Sequence, residues 1–481
     1  MILGLLRPLP PGILLLAFLL SAAAPRSGHS GPSGAVIARA GKDFITEKEF
    51  RERFEMLPGL ERHRRPQLEQ SKLEFLYSLI AEKLLAQEAA DRHLDTSVAY
   101  RDAVADLSKD LARDALYRRE VSGAITLTAG EIAAGEKRAL TLRLIEFLYT
   151  DSPDEASFLR SQIGGGAGFD SLAVDSTAIR DSATVIFGDA DPAIEDAAYR
   201  LDVGDISPVI HAGDGYYMLK LVREDANVYF QSMQPDVLRE RVSSILRTRR
   251  EKTRLNEYVH DALLGRSGYA LPRSFRRLAQ AVIDIAGRHA AEHPCLLAGR
   301  VAEEVMNQCG PAVRDSCVVL PGEYWSIGET IGRLARRSAR LDSLSAGQIR
   351  SRLNAEIGVL VLQELLAGKA LAAGFDTMAA VRSQVRDWST KYLADLMRRY
   401  VGAVADPAGR ARGLLDTFIA QSARDRGFDI YEDRLRQIPV TPVPMMTFRT
   451  LGFGGRMFAA PFVEKLIDWV NIDPPSAPVI P

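Results

Sequence analysis

Val203-Gly204-Asp205-Ile206-Ser207-Pro208-Val209 and, a few residues on, Gly215-Tyr216-Tyr217-Met218-Leu219-Lys220-Leu221 close a segment unlike the rest of its chain. Over residues 140–222 the texture is that of a small α/β domain. Residues 142–149 read as a strand, 154–162 as a short helix, Gly164, Gly165, Gly166 and Gly168 as a loop, and 216–222 as the closing strand. Helices surround this segment. Residues 36–45 suggest a hairpin turned near Gly41, and Thr46 with Glu49 suggests a capping box that opens a helix over 47–57, stopped by Pro58-Gly59. Residues 68–93 carry Leu73, Leu76, Ile80 and Leu84 at helical spacing, flanked by Tyr77 and Leu85, which makes one buried stripe. Further helices are expected over 97–119 and 235–263.

With 481 residues the chain is too long for one core and implies several domains. Apolar residues make up 47% and charged residues 26%, the balance of ordinary globular protein. Its 61 basic and 62 acidic residues leave a formal net charge of -1, which excludes the basic excess of a nucleic-acid binder or of a protein drawn to anionic membranes.

Residues 1–23 have the layout of a cleaved signal peptide: Arg7, an apolar run over 13–20, then Ser21, Ala22 and Ala23. An uncleaved anchor is the alternative, but the run is shorter than the ~20 residues a spanning helix needs. Residues 24–34 form a Pro/Gly/Ser linker, and no other stretch is apolar enough to span. Cys295, Cys309 and Cys317 allow a Cys309–Cys317 disulfide or buried free thiols. With His289 and His293 they cluster in sequence, but in no common zinc spacing, so no metal is expected.

An internal repeat appears at a shift of 281 positions. Gly41, Phe44 and Phe50 fall on Gly322, Trp325 and Ile331; Leu79, Leu84, Leu85 and Ala89 fall on Leu360, Leu365, Leu366 and Ala370. Leu94-Asp95-Thr96 falls on Phe375-Asp376-Thr377. A weaker echo links 258–271, ending Gly268-Tyr269-Ala270-Leu271, with 417–430, ending Gly427-Phe428-Asp429-Ile430. Only the first half holds the α/β insert.

The insert resembles the parvulin peptidyl-prolyl isomerases. Phe169-Asp170-Ser171-Leu172-Ala173 is similar to the family's Phe-x-x-Leu-Ala, and the 192–199 helix, Pro192-Ala193-Ile194-Glu195-Asp196-Ala197-Ala198-Tyr199, to its Pro-x-Phe-Glu-x-Ala-Ala-Phe. The two opening motifs are similar to its Gly-Glu-Ile-Ser-x-Pro-Val and Gly-Tyr-His-Ile-Ile-Lys-Val. The resemblance implies a site with two histidines that twists an X-Pro bond against a barrier of about 18–20 kcal/mol. Here Leu144 stands where the first histidine is expected and Tyr217 where the second is; the expected middle loop, 182–189, keeps only Phe187 and Gly188 of the family's pattern. The centre therefore reads as degenerate at Leu144, Phe187 and Tyr217, with Ile186, Phe187, Tyr199, Tyr216 and Tyr217 as candidate peptide contacts.

The order of signal peptide, strand, helices, parvulin-like insert and trailing helix looks like SurA and related exported foldases. That resemblance implies an α+β, mainly helical fold: two related helical chaperone-like units, the first carrying an inserted parvulin-like (FKBP-like α+β) domain. The expected boundaries are 35–139 for the first helical unit, 140–225 for the insert, 226–316 for trailing helices, 317–438 for the second unit and 439–481 for a Pro/Gly-rich tail. In that tail 443–448 suggests a strand, Gly452-Phe453-Gly454-Gly455 a turn, and Phe458, Phe462, Ile467 and Trp469 a docked segment. The implied function is ATP-independent, cofactor-free binding of unfolded secreted or outer-membrane polypeptides in the periplasm. An active isomerase with an altered site that depends on Tyr217, and an envelope-assembly scaffold with one fixed partner, are the alternatives. Arg333, Arg336, Arg337 and Arg340 are expected to form a solvated basic face. No Walker loop, Gly-x-Ser-x-Gly elbow or His-Glu-x-x-His helix occurs.

Overall fold

A hairpin opens the computed structural model, which describes residues 34–56, 65–264, 268–289, 295–337, 339–341, 344–404, 411–440, 452–453 and 460–474. The signal segment, Pro58-Gly59, His293, Phe458, Gly454, Gly455 and 443–448 lie outside the described residues. Strands β1 (Val36–Ala40) and β2 (Asp43–Thr46) turn at Gly41, whose φ of 55° and closeness to the Gln87 side chain leave no room for a Cβ. Thr46 caps α1 (Glu47–Phe54) by accepting from the Glu49 N–H. Glu49 does not close the expected capping box: its carboxylate lies 2.7 Å from Lys83 Nζ, and this nearly buried ion pair takes the oxygen that would have turned back. Helix α2 (Arg65–Asp91) buries Leu76, Ile80 and Leu84 fully. It also buries Phe75, Leu79, Ala81 and Leu85, so it is enclosed on more than the one stripe its spacing suggests.

Ser97 caps α3 (Val98–Glu120), and a Thr128–Glu131 capping box opens α4 (Ala129–Ala139). The insert follows: β3 (Thr141–Thr150), α5 (Pro153–Gly164), α6 (Phe169–Asp175), β4 (Ile179–Ile186), α7 (Pro192–Ala198), β5 (Ile210–Ala212) and β6 (Gly215–Ala226). The segment expected as a middle loop is thus strand as far as Ile186, its residues paired to β3 from Leu142↔Ile186 to Glu146↔Ser182. Helices α8 (Val228–Gln231) and α9 (Pro235–Leu263) lead to β7 (Tyr269–Ala270), α10 (Pro272–Arg288), β8 (Leu296–Leu297) and α11 (Gly299–Cys309). A second hairpin, β9 (Ser316–Leu320) and β10 (Glu323–Ser326), precedes α12 (Ile327–Arg337), β11 (Ala339–Arg340), α13 (Ala346–Ala372) and α14 (Ala379–Val404). The chain continues through α15 (Ala411–Arg426), β12 (Phe428–Ile430) and α16 (Glu432–Gln437).

The two compact units do not follow the two halves of the sequence. One is formed by 1–95, 390–445 and 460–481, the other by 96–389 and 446–459. In the first unit, β12 and β2 flank β1, and α2 packs with α15 over a core that includes Phe50, Phe54, Leu76, Ile80 and Ile419. Trp469 and Val463 of the tail complete this core, Ile467 is half-buried and Phe462 is exposed. In the second unit, β10 and β7 flank β9, β11 pairs with β8, and the insert's sheet runs β4-β3-β6-β5. Phe453 of the tail is buried there, its ring centroid 5.1 Å from that of Tyr117 and 5.4 Å from that of Tyr258.

In the second unit one sequence expectation changes and one open choice is decided. Arg333, Arg336 and Arg337 are not a bare basic face: they pair with Glu364 at 3.2 Å, Asp106 at 3.3 Å and Glu356 at 2.6 Å. The three cysteines are free thiols buried in the core of α10–α13. Burial pushes Cys309 and Cys317 above the usual thiol range. The 281-position shift also changes locally. It carries the helical turn Leu94–Thr96 onto Phe375–Thr377, whereas the hairpins correspond at 280, Thr46 with Ser326 and Glu49 with Glu329.

Candidate functional site: an aromatic face on the four-stranded sheet

Side chains alternate across a strand, so β3 and β6 each divide into two sets. Ile145, Phe147, Leu219, Leu221, Tyr217 and, from β5, Ile210 pack with α7 on one face. Leu148 and Met218 pack with Leu159, Phe169 and Leu172 of α5 and α6 on the other. The first face is covered near its β4–α7 end. At the opposite end it presents rings: Phe147 and Tyr149 lie 5.7 Å and 5.0 Å from Tyr217, centroid to centroid. Ile179 at the start of β4 pairs with Tyr149 and is 61% exposed, extending the apolar patch into solvent.

The carboxylate of Asp214 ties this end together. Tyr217 donates its hydroxyl to Asp214 Oδ2 at 2.9 Å, and Tyr149 donates to the Asp214 backbone oxygen at 3.0 Å. Burial, then the Asp214 hydrogen bond, push the Tyr217 hydroxyl up to about 12. Neither Phe147 nor Tyr217 therefore exchanges a proton near neutral pH. The face can stack on a proline ring or an apolar side chain, but it offers no relay of the two-histidine kind.

The expected site residues separate. Leu144 is next to Ile145 on β3 and so points away from the face that carries Tyr217; no one network can contain both. The β3 residue paired with Tyr217 is Tyr149, with Phe147 next to it on the same face. Counting in steps of two along β3 and β6 would have found Phe147 and Tyr149 in the sequence. Tyr216 lies on the reverse face, its ring 4.9 Å from that of His211.

Phe187, Ile186 and Tyr199 serve the seam between the sheet and helices α4 and α9. Phe187 is 2% exposed and packs with Ala139, Phe230 and Val242, so it is closed to a peptide. Tyr199 donates to the Thr141 carbonyl at 2.8 Å and lies beneath Arg138 and Arg143. Burial raises its hydroxyl to about 12. At the centre of the seam, Glu195 is fully buried. It accepts two hydrogen bonds from Arg249 at 2.7 and 2.6 Å and one from the Gly188 N–H at 2.7 Å. Gly188 has φ 99°, and a Cβ there would meet Ile245 Cδ1 at 2.8 Å. Phe187 and Gly188 thus fix the domain to α9 instead of shaping a pocket.

Among the described residues no group of three His, Cys, Asp or Glu could hold a metal, and no helix is long and apolar enough to cross a membrane. His289 lies 3.1 Å from Glu304.

No protein-family model and no curated protein matches the chain. Solved structures similar to part of it include a peptidylprolyl isomerase, PrsA, from Bacillus anthracis, at 15% identity and a TM-score of 0.20, over 38% of this chain and 96% of that one. The foldase PrsA from Streptococcus pneumoniae is 18% identical with a TM-score of 0.19, over 45% and 87%. A SurA-like chaperone from Campylobacter jejuni is 17% identical with a TM-score of 0.22, over 48% and 98%.

Proposed function

We propose that the chain is an exported, ATP-independent chaperone that holds unfolded secreted or outer-membrane polypeptides in the periplasm, and that its parvulin-like domain binds peptide without isomerising it. The observation that carries this reading is the Phe147–Tyr149–Tyr217 face. It keeps rings that grip apolar and proline-containing segments, while the β3 positions on the face of Tyr217 hold Phe147 and Tyr149 and the Tyr217 hydroxyl donates to Asp214. The signal-peptide layout of residues 1–23 supports export, and the four parvulin-like motifs support the peptide-binding role.

The test pairs an aggregation-suppression assay with a proline-isomerisation assay on the purified chain. Suppression without isomerisation, weakened several-fold by Tyr149→Ala with Tyr217→Ala, is the expected result. Isomerisation abolished by Tyr217→Phe would overturn the reading and make the chain an enzyme. Absence of both activities would point to a scaffold with one fixed partner.

A further inference from the structure

One register line crosses all four strands of the insert's sheet at its uncovered end. Ile179 of β4 pairs with Tyr149 of β3, Tyr149 with Tyr217 of β6, and Tyr217 with Ile210 of β5. Directly paired residues share a side of the sheet, so these four side chains form a single row on the aromatic face. With strands about 4.8 Å apart the row is about 14 Å long, the span of about four residues of extended chain. Its middle is built for close packing: the Tyr149 ring lies against Gly215, where a Cβ would come within 2.7 Å of it. The next line inward is Asp181, Phe147 and Leu219, so an exposed carboxylate and a ring stand beside the row.

Charge divides the two faces of this sheet. On the reverse side Arg180 and Lys220 meet Asp170 at 2.9 and 3.6 Å, beside the Phe169 ring. On the aromatic side Arg143 lies at the covered end, over Tyr199 and 3.0 Å from Glu224. The uncovered end carries acids. Asp181 belongs to β4, at one end of the row, and Asp214 to the β5–β6 turn, at the other. Asp191, the cap of α7, is close enough that its charge, after burial and Asp214, raises the Tyr217 hydroxyl. All three acids are exposed. Asp181 accepts from the Ser182 N–H at 2.7 Å, Asp191 from the Ala193 N–H at 2.8 Å and Asp214 from the Tyr217 hydroxyl at 2.9 Å. Among the described residues none of the three forms an ion pair with lysine or arginine, and Arg249 is held by Glu195. An apolar row with uncompensated negative charge at both ends repels an acidic segment and favours a basic one.

We infer, resting on the peptide-binding reading above, that the row is a docking face for extended segments whose short apolar, proline-containing core is flanked on both sides by lysine or arginine. The core covers Ile179, Tyr149, Tyr217 and Ile210, and the flanking cations reach Asp181 on the β4 side and Asp214 on the β5–β6 side. The test measures fluorescence anisotropy of labelled peptides with the full-length chain. The peptides share the core Phe-Pro-Leu-Tyr and carry pairs of lysines, glutamates or serines on both sides. Expected is binding of the lysine peptide about fivefold or more tighter than of the glutamate peptide at about 0.05 M salt, with the serine peptide between them and the preference below about twofold at about 0.5 M salt. Asp181→Asn with Asp191→Asn and Asp214→Asn keeps an accepting oxygen at each position and removes the charge, so the low-salt preference should fall below about twofold. Equal binding of the lysine and glutamate peptides by the unsubstituted chain would overturn the proposal, as would a preference that survives in the triple variant or in high salt. A lysine-peptide affinity unmoved by Tyr149→Ala with Tyr217→Ala would overturn it too, since the preference would then lie elsewhere. If the preference is absent but the serine peptide binds and that double variant weakens it, the peptide-binding reading stands alone. Binding of none of the three peptides would overturn both.

Discussion

Replacing Arg249 with methionine tests the seam that holds the four-stranded sheet to α9. Glu195 has a fully buried carboxylate, and Arg249 is only 23% exposed at the side chain. The substitution keeps the apolar stem but removes two charge-assisted bonds at 2.7 and 2.6 Å, leaving the Gly188 N–H as the donor still bonded to that carboxylate. Breaking one side of a buried ion pair costs about 3–5 kcal/mol, because the remaining charge stays out of water without its partner. Loss of the guanidinium 5.5 Å from the Phe187 ring adds about 0.5–1 kcal/mol. The Gly188 bond offsets part of this, so about 3 kcal/mol is expected. Glu195→Gln with Arg249→Met should recover most of the loss, since no buried charge is left over. Amide hydrogen exchange of β3 and β6 in the full chain reads the effect locally, which a global melt of so many domains does not. Loss of less than about 1 kcal/mol in the single variant, with no recovery in the double, would refute a structural role for the Arg249–Glu195 pair at this seam.

Two further outcomes are expected. Phe453→Ala should cost the second unit about 3–5 kcal/mol, because its ring is 2% exposed between Tyr117 and Tyr258; urea unfolding followed by hydrogen exchange of α3 and α9 measures it. The first unit should lose stability in acid through Glu88 and Asp91. Burial alone would raise Glu88, but hydrogen bonds from Arg426 and Arg92 bring it below the usual range; the Arg426 hydrogen bond lowers Asp91. Both carboxylates bind protons less readily folded than unfolded, so their contribution is present above the ordinary carboxylate range and fades as pH falls through the lowered folded values. Arg426→Leu should flatten that dependence between about pH 7 and pH 3 in hydrogen exchange of α2; an unchanged slope would count against it.

Much of the secondary structure was written locally. Thr46, Ser97 and Thr128 mark helix starts because a side-chain oxygen before a helix satisfies an orphan N–H whatever lies beyond it. The run from Gly215 to Leu221 declares a strand, and Pro235 opens a helix that ends at Leu263 as the periodicity suggests. The 281-position register expected from the sequence matches the turns Leu94–Thr96 and Phe375–Thr377, while the hairpins correspond one residue off, at 280.

The face a residue occupies was less accessible. Leu144 and Phe147 are both apolar residues of one strand, and only the pairing of β3 with β6 shows that Phe147 shares a side with Tyr217 while Leu144 does not. Phe187 looked like a trace of a pocket because burial against α9 depends on a helix that begins 48 positions later. By itself the sequence determined many of the strands, helices and helix starts and the order of motifs, set by interactions within a few residues, but not β4, which reads as a loop until β3 pairs with it. The tertiary structure alone decided which closing strand completes which hairpin: β7 and β12 present the same backbone donors and acceptors to β1 and β9, so the choice between them lies in the packing of whole helices and not in the strands themselves.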